Sequence, residues 1–156
     1  MSEKIVSRIY TPAGDLTIEC DKTGKKVFKI EFGTEKSEKL MCEKPELEIS
    51  KQLCEYFEGR RKKFEIEFEL EGTEFQKKVL KELLKIPYGV TITYKELAER
   101  VGNSNSSRAV GNVMAKNRIP IIIPCHRVVS KKGLGGFGGG LVWKKFLLEL
   151  ERRNNR

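Results

Sequence analysis

The segment Ile119–Val129, IPIIIPCHRVV, sets a cysteine beside the only histidine of the chain, next to an arginine, behind a proline and inside an apolar run. The reactive form of a cysteine is the thiolate, and neighbouring imidazole and guanidinium groups favour it over the thiol. Cys125 is therefore the candidate nucleophile, with His126 as its base. A buried Cys-His pair filling a core strand is the plain alternative. Successive side chains on an extended segment point to opposite sides, so Cys125 and His126 can hardly bond directly unless the backbone turns. A water bridge is the natural link. The histidine also needs a third group to orient it, most simply a carboxylate from elsewhere in the chain. The other cysteines, Cys20, Cys42 and Cys54, sit in ordinary surroundings and read as small core residues or spectators. With no CxxC and one histidine, no structural zinc site is expected.

The elements that must position this segment fall into two groups. Apolar and polar residues alternate over Lys4–Tyr10, Leu16–Asp21 and Lys25–Phe32, separated by the turn-rich TPAGD and KTG, which predicts an antiparallel meander. Glu46–Phe57 has helical spacing and Gly59 is its stop. A basic stretch, GRRKKF, leads into FEIEFEL, another alternating segment. A domain boundary is placed at Gly72–Thr73, giving residues 1–71 and 72–156. Thr73 can cap a helix over Glu74–Lys85 with Phe75, Val79, Leu80, Leu83 and Leu84 on one face. Thr93–Val101 and Ser107–Ala115 read as short helices around GNSNSS, the pattern of a helix-turn-helix. Gly133–Gly140 is a glycine loop, and a last helix over Val142–Arg153 is expected to pack Val142, Phe146, Leu147 and Leu150.

Charge follows the same division. The formal net charge is +9, yet residues 1–70 hold 14 Lys/Arg against 15 Asp/Glu, while residues 71–156 hold 17 against 7. The basic excess belongs to the C-terminal half, which fits a polyanionic partner bound through phosphates. High Lys and Glu content also fits a thermophile. No apolar h-region opens the chain and no run reaches the roughly 18 apolar residues of a membrane span, so a cytoplasmic protein is expected.

From Gly72 to Glu151 the sequence resembles the O6-alkylguanine-DNA alkyltransferases, also called methylated-DNA–protein-cysteine methyltransferases. The resemblance rests on FQKKVLKELLKIPYGVTITYKELA, SRAVGNVMAKN, IPCHRVV, GLGGFGGG and KKFLLELE, in the family's order and spacing. It implies an α+β fold: a small N-terminal antiparallel sheet-plus-helix domain of ribonuclease H-like type, then a mainly helical, winged-helix-like domain with a helix-turn-helix. It implies repair by direct reversal. An alkyl group would pass irreversibly from O6-alkylguanine, and from O4-alkylthymine, in double-stranded DNA to Cys125, once per molecule, without cofactor or metal and as a monomer.

The resemblance also assigns roles. His126, through a water, would take the Cys125 proton, with Glu151 completing the relay. Tyr94 would hydrogen-bond or protonate the departing guanine. Asn117 would brace the turn between recognition helix and active-site strand. Arg108 would enter the stack where the flipped base leaves, and the small residues Ser107, Ala109 and Gly111 would let their helix approach the minor groove. Met114, Pro124, Gly135, Gly136 and Phe137 would line the pocket. A duplex hides guanine O6, so the nucleotide must be flipped into the pocket, at a cost of a few kcal/mol, and an inserted side chain fills the gap. Phe137 and Gly138 depart from the tyrosine and serine frequent in the family, leaving a hydroxyl-poor loop.

Overall fold

A computed structural model describes residues 3–102 and 106–155. The fold is α+β, and the chain divides into two compact units, Met1–Glu69 and Leu70–Arg156.

In the first unit, strict alternation produces strands with one buried face. Strands β1 (Ile5–Thr11), β2 (Gly14–Cys20) and β3 (Val27–Phe32) form the expected meander, and a two-residue strand β4 (Met41–Cys42) joins it. The antiparallel order is β3-β2-β1-β4, with Ile9 opposite Leu16 and Ile18 opposite Ile30. These apolar residues, with Ile49, Leu53 and Tyr56 of helix α1 (Glu48–Phe57), make the core. β4 is too short to show alternation, so no periodicity could announce it. The segment FEIEFEL forms no strand and makes only an isolated bridge, Lys26 to Glu67. Its backbone is held by a side chain instead: the Gln52 amide donates to the Glu65 carbonyl (3.2 Å) and accepts from the Glu65 N–H (2.8 Å). Of the three cysteines taken as bystanders, Cys20 is a core residue. Cys42 and Cys54 are not isolated. The hydrogen bond from Cys54 pulls the Cys42 thiol down to about 6 and raises its own.

The second unit is built to present turns and helix starts. Helix α2 (Glu74–Leu84) begins in a reciprocal capping box between Thr73 and Gln76. It buries Val79, Leu80 and Leu83, but Leu84 is 40% exposed and does not belong to the packed face. Strand β5 (Ile92–Thr93) runs directly into α3 (Tyr94–Arg100), where Thr93 and Glu96 form a second capping box. Helix α4 is Ser107–Ala115; of the expected GNSNSS turn before it, residues 103–105 lie outside the described residues.

The apolar stretch before Cys125 is not the extended strand anticipated. Ile119–Ile123 folds into a buried turn, closed by the Ile123 N–H on the Ile119 carbonyl (2.9 Å), with Ile121 at φ 75°. Proline at both ends and four buried isoleucines make this a compact plug rather than a strand. A 3-10 turn follows at Cys125–Arg127, then strand β6 (Val128–Val129), paired in parallel with β5.

Helix α5 (Leu141–Asn154) completes the unit. Its buried stripe is Trp143, Lys144, Leu147, Leu150 and Glu151, whereas Val142 is 57% exposed. The helical period was legible, but two positions of the stripe are charged, and an apolar-only reading rotates the face towards Val142. Among the described residues no helix is long and apolar enough to cross a membrane.

Candidate active site

All site geometry lies in the second unit. The 3-10 turn points Cys125 and His126 in different directions, so the two side chains meet different partners. The Cys125 thiol accepts from Asn117 Nδ2 at 3.2 Å. The same amide nitrogen donates to the Ile123 carbonyl (2.9 Å), and Asn117 Oδ1 accepts the Ile119 N–H (3.0 Å). One asparagine thereby pins both sides of the isoleucine turn and touches the nucleophile. His126 turns inward, with no exposed surface, and its Nε2 lies 2.7 Å from Glu151 Oε2. Glu151 also accepts Arg127 through Nε (2.8 Å) and Nη2 (2.9 Å) and the Gly89 N–H (3.1 Å). Arg127 is in turn tied to the Ile86 carbonyl at 2.7 Å.

This arrangement sets the protonation states. Burial opposes ionisation of Glu151, but the His126 hydrogen bond and the Arg127 charge outweigh it and hold the carboxyl well below the usual range. An ionised carboxylate only accepts, so His126 Nε2 carries the proton. Burial lowers His126 below its ordinary value despite Glu151, so the ring is neutral and Nδ1 offers a lone pair. Among the described residues Nδ1 has no hydrogen-bond partner. Cys125 differs from expectation: burial pushes its thiol up to about 11, against the Asn117 hydrogen bond and the Lys144 charge. The guanidinium expected to favour its thiolate is spent on Glu151. In the free protein Cys125 is a thiol.

A pocket of about 400 Å³ reaches this thiol, within the roughly 300–1,000 Å³ range of small-molecule sites. Helices α3 and α4 supply Tyr94, Gly111, Met114 and Ala115 to its wall, and the glycine loop supplies Gly136, Phe137 and Gly138. Pro124 and Gly135 do not line it. Gly135 acts one layer back: at φ 75°, a Cβ there would stand 2.8 Å from the Tyr94 ring. Tyr94 donates its hydroxyl to the Gly136 carbonyl at 3.2 Å, and burial raises its pKa, keeping the phenol protonated. Arg108 and Ala109 are exposed at the start of α4, and Ser107 is half-buried; none reaches the pocket. Sequence reasoning missed Lys144, Ala115 and the bidentate use of Arg127. Lys144 had one visible signal, a charge on the stripe that α5 must bury. Among the described residues no three His, Cys, Asp or Glu side chains gather as a metal site.

The comparisons agree on one family. Residues 74–153 match the family model described as 6-O-methylguanine DNA methyltransferase, DNA binding domain. A methylated-DNA–protein-cysteine methyltransferase of Methanosarcina acetivorans is 44% identical over 146 residues, 90% of this chain and 94% of the relative. The chain belongs to the methylated-DNA–protein-cysteine methyltransferases. Two solved members of the methyltransferase group share its fold. The Mycobacterium tuberculosis OGT, solved in complex with DNA, superposes with a TM-score of 0.79 at 36% identity, covering 94% of this chain and 92% of that one. An O6-methylguanine DNA methyltransferase of Methanococcus jannaschii gives 0.62 at 34% identity, over 87% and 88%. As a methyltransferase, the chain keeps its cysteine at the floor of a pocket and its histidine–carboxylate pair behind it.

Proposed function

We propose that this chain repairs duplex DNA by moving the alkyl group of O6-alkylguanine onto its own Cys125, once per molecule. The observation that carries the reading is a thiol that opens on a nucleobase-sized pocket and is backed by a neutral histidine fixed on a permanent carboxylate. A duplex hides guanine O6, so the nucleotide must leave the stack to reach this floor. The Cys125 proton passes to His126 Nδ1 through a water molecule, and the resulting imidazolium is stabilised by Glu151. The thiolate attacks the alkyl carbon in line. The S–C bond forms, the C–O6 bond breaks, and its electron pair goes to the guanine, which takes a proton from the Tyr94 side of the pocket. Asn117 holds the sulfur in place through the amide contact. Because a thioether is stable, the protein is consumed.

Contact with DNA is assigned to the α3–α4 pair as a helix-turn-helix, with α4 against the minor groove and Arg108 filling the vacated stack. The M. tuberculosis OGT complex with DNA supports DNA as the partner. The exposed guanidinium of Arg108 and the pocket-facing Gly111 on the same helix support the orientation.

The test is intact-protein mass after incubation with a duplex containing O6-methylguanine. One methyl group per molecule, mapped by peptide mass to Cys125 and abolished in Cys125→Ser, is the expected result. An unchanged mass, or a methyl group on Cys20, Cys42 or Cys54, sinks the reading.

A further inference from the structure

Two of the cysteines lie far along the chain from the pocket, in the first unit, and the fold brings them together. Strand β4 is the edge of its sheet and joins β1 through two residue pairs, Tyr10 with Met41 and Ile9 with Cys42. Paired residues point to the same side of a sheet, so Cys42 shares the face of the buried Ile9, while Met41 is 58% exposed. On α1, Ser50 and Cys54 are four residues apart and therefore on one helix face. The sulfurs meet where these faces meet. The Cys54 thiol donates a hydrogen bond to Cys42, and the Lys44 N–H donates to the same sulfur. The Ser50 hydroxyl beside them is buried and has no other hydrogen-bond partner among the described residues. Three donors thus converge on one sulfur. They outweigh burial and the Glu46 charge and bring the Cys42 thiol down to about 6. Burial instead pushes Cys20 and Cys125 up to about 11. Cys42 and Cys54 are also both half-buried rather than sealed in, and both are free thiols. Cys20 shows what a plain core cysteine looks like in this sheet, and the other two do not resemble it.

We propose that Cys42 and Cys54 are a redox pair, which a hydroperoxide oxidises to a disulfide that staples the edge strand β4 to α1, with Cys42 attacking and Cys54 resolving. In the first step the Cys42 thiolate attacks one oxygen of hydrogen peroxide. The S–O bond forms, the O–O bond breaks, and the departing hydroxide is protonated to water, leaving a sulfenic acid on Cys42. The Cys54 sulfur then attacks that sulfur. The S–S bond forms, the S–O bond breaks, and the Cys54 proton leaves with the hydroxyl as a second water. Two thiols lose two electrons and the peroxide gains them. The order follows from the hydrogen bond: the accepting sulfur is the nucleophile, and the donating one keeps its proton until the sulfenic acid is in place. A cross-link between positions 42 and 54 restrains the unfolded chain, and so adds to the hold on a strand that two residue pairs secure. The pair takes no part in alkyl transfer, so this inference stands or falls apart from the repair reading.

The experiment is to treat the reduced full chain with equimolar hydrogen peroxide at neutral pH and follow its mass. The intact mass is expected to fall by two hydrogens, non-reducing peptide maps to join the Cys42 peptide to the Cys54 peptide, and dithiothreitol to restore the starting mass. Two variants read the order of attack. Cys54→Ser should stop at a sulfenic acid on Cys42, trapped as its dimedone adduct, whereas Cys42→Ser should leave Cys54 a thiol. A further measurement needs no substitution. Brief carbamidomethylation of the reduced protein by iodoacetamide at neutral pH should label Cys42 about tenfold or more faster than Cys54 or Cys20, because the thiolate is the reacting form. An unchanged mass, a link that involves Cys20 or Cys125, or a link between two molecules overturns the proposal. Labelling of Cys54 ahead of Cys42 overturns the assigned order, and so does a dimedone adduct on Cys54 in folded Cys42→Ser.

Discussion

Glu151 accepts hydrogen bonds from His126, from both arms of Arg127 and from the Gly89 backbone, so its role is that of a fixed anion rather than a proton acceptor. A carboxylate in a surface pair with Arg152 or Arg153 would do nothing for the thiol; Arg152 instead pairs with Glu149, on the outside of α5. The pH behaviour follows. His126 is lowered from its ordinary 6.5 by burial, so single-turnover transfer should stay level as pH falls through that value and decline only below it. Stability responds in the same direction. His126 and Glu151 both bind protons more readily in the unfolded chain, so their contribution is complete above the ordinary imidazole range and is lost as pH falls through their lowered folded values. Glu151→Gln leaves Arg127 as a buried cation without its counter-charge. It should cost on the order of 3 kcal/mol of stability by denaturant unfolding and slow transfer at neutral pH, with part of the rate returning as alkali supplies thiolate. An unchanged midpoint and pH profile would reduce Glu151 to a helix residue.

At the scale of elements, the site is made largely of boundaries: the first residue of α3, the C-terminal half of α4, a 3-10 turn and a glycine loop. Boundaries that carry capping chemistry were legible. Thr73 announces α2 because a hydroxyl three residues before Gln satisfies open N–H groups in any context. Thr93 caps α3 in the same way, although the sequence alone places it inside that helix. The isoleucine turn was not legible. Apolar content marks IPIII as buried but cannot say that Asn117, outside the run, supplies the hydrogen bonds that bend it. The same blindness put His126 on an extended segment and rotated α5 by one position, since Lys144 and Glu151 break an apolar stripe that is otherwise regular. Cys125 and His126 could be named from their juxtaposition, whereas Glu151 could be named only because motif spacing carried it. Arg108 tests the exposed start of α4. Arg108→Ala should slow repair in duplex DNA far more than transfer from the free alkylated base, and Arg108→Lys should rescue it in part, keeping the charge without the planar fork. Equal losses on both substrates would mean that the arginine serves the helix and not base extrusion.

For the molecule as a whole, the charge division gives the second unit the anion-binding work. Residues 71–156 carry 17 Lys/Arg against 7 Asp/Glu, and the first 70 are nearly balanced. Affinity for undamaged duplex should fall with salt at a log–log slope of about −0.9 per phosphate neutralised, with little preference among sequences. Salt-insensitive binding in a filter or anisotropy assay would contradict it. The α5 stripe has a different consequence, in time rather than in space. A ribosome releases Cys125 before it has made Lys144 or Glu151, and His126 has no anchor until α5 docks against the turn. The nascent cysteine thus lacks its anchored histidine and its pocket, and a protein that reacts only once has neither until the fold that supplies them is finished.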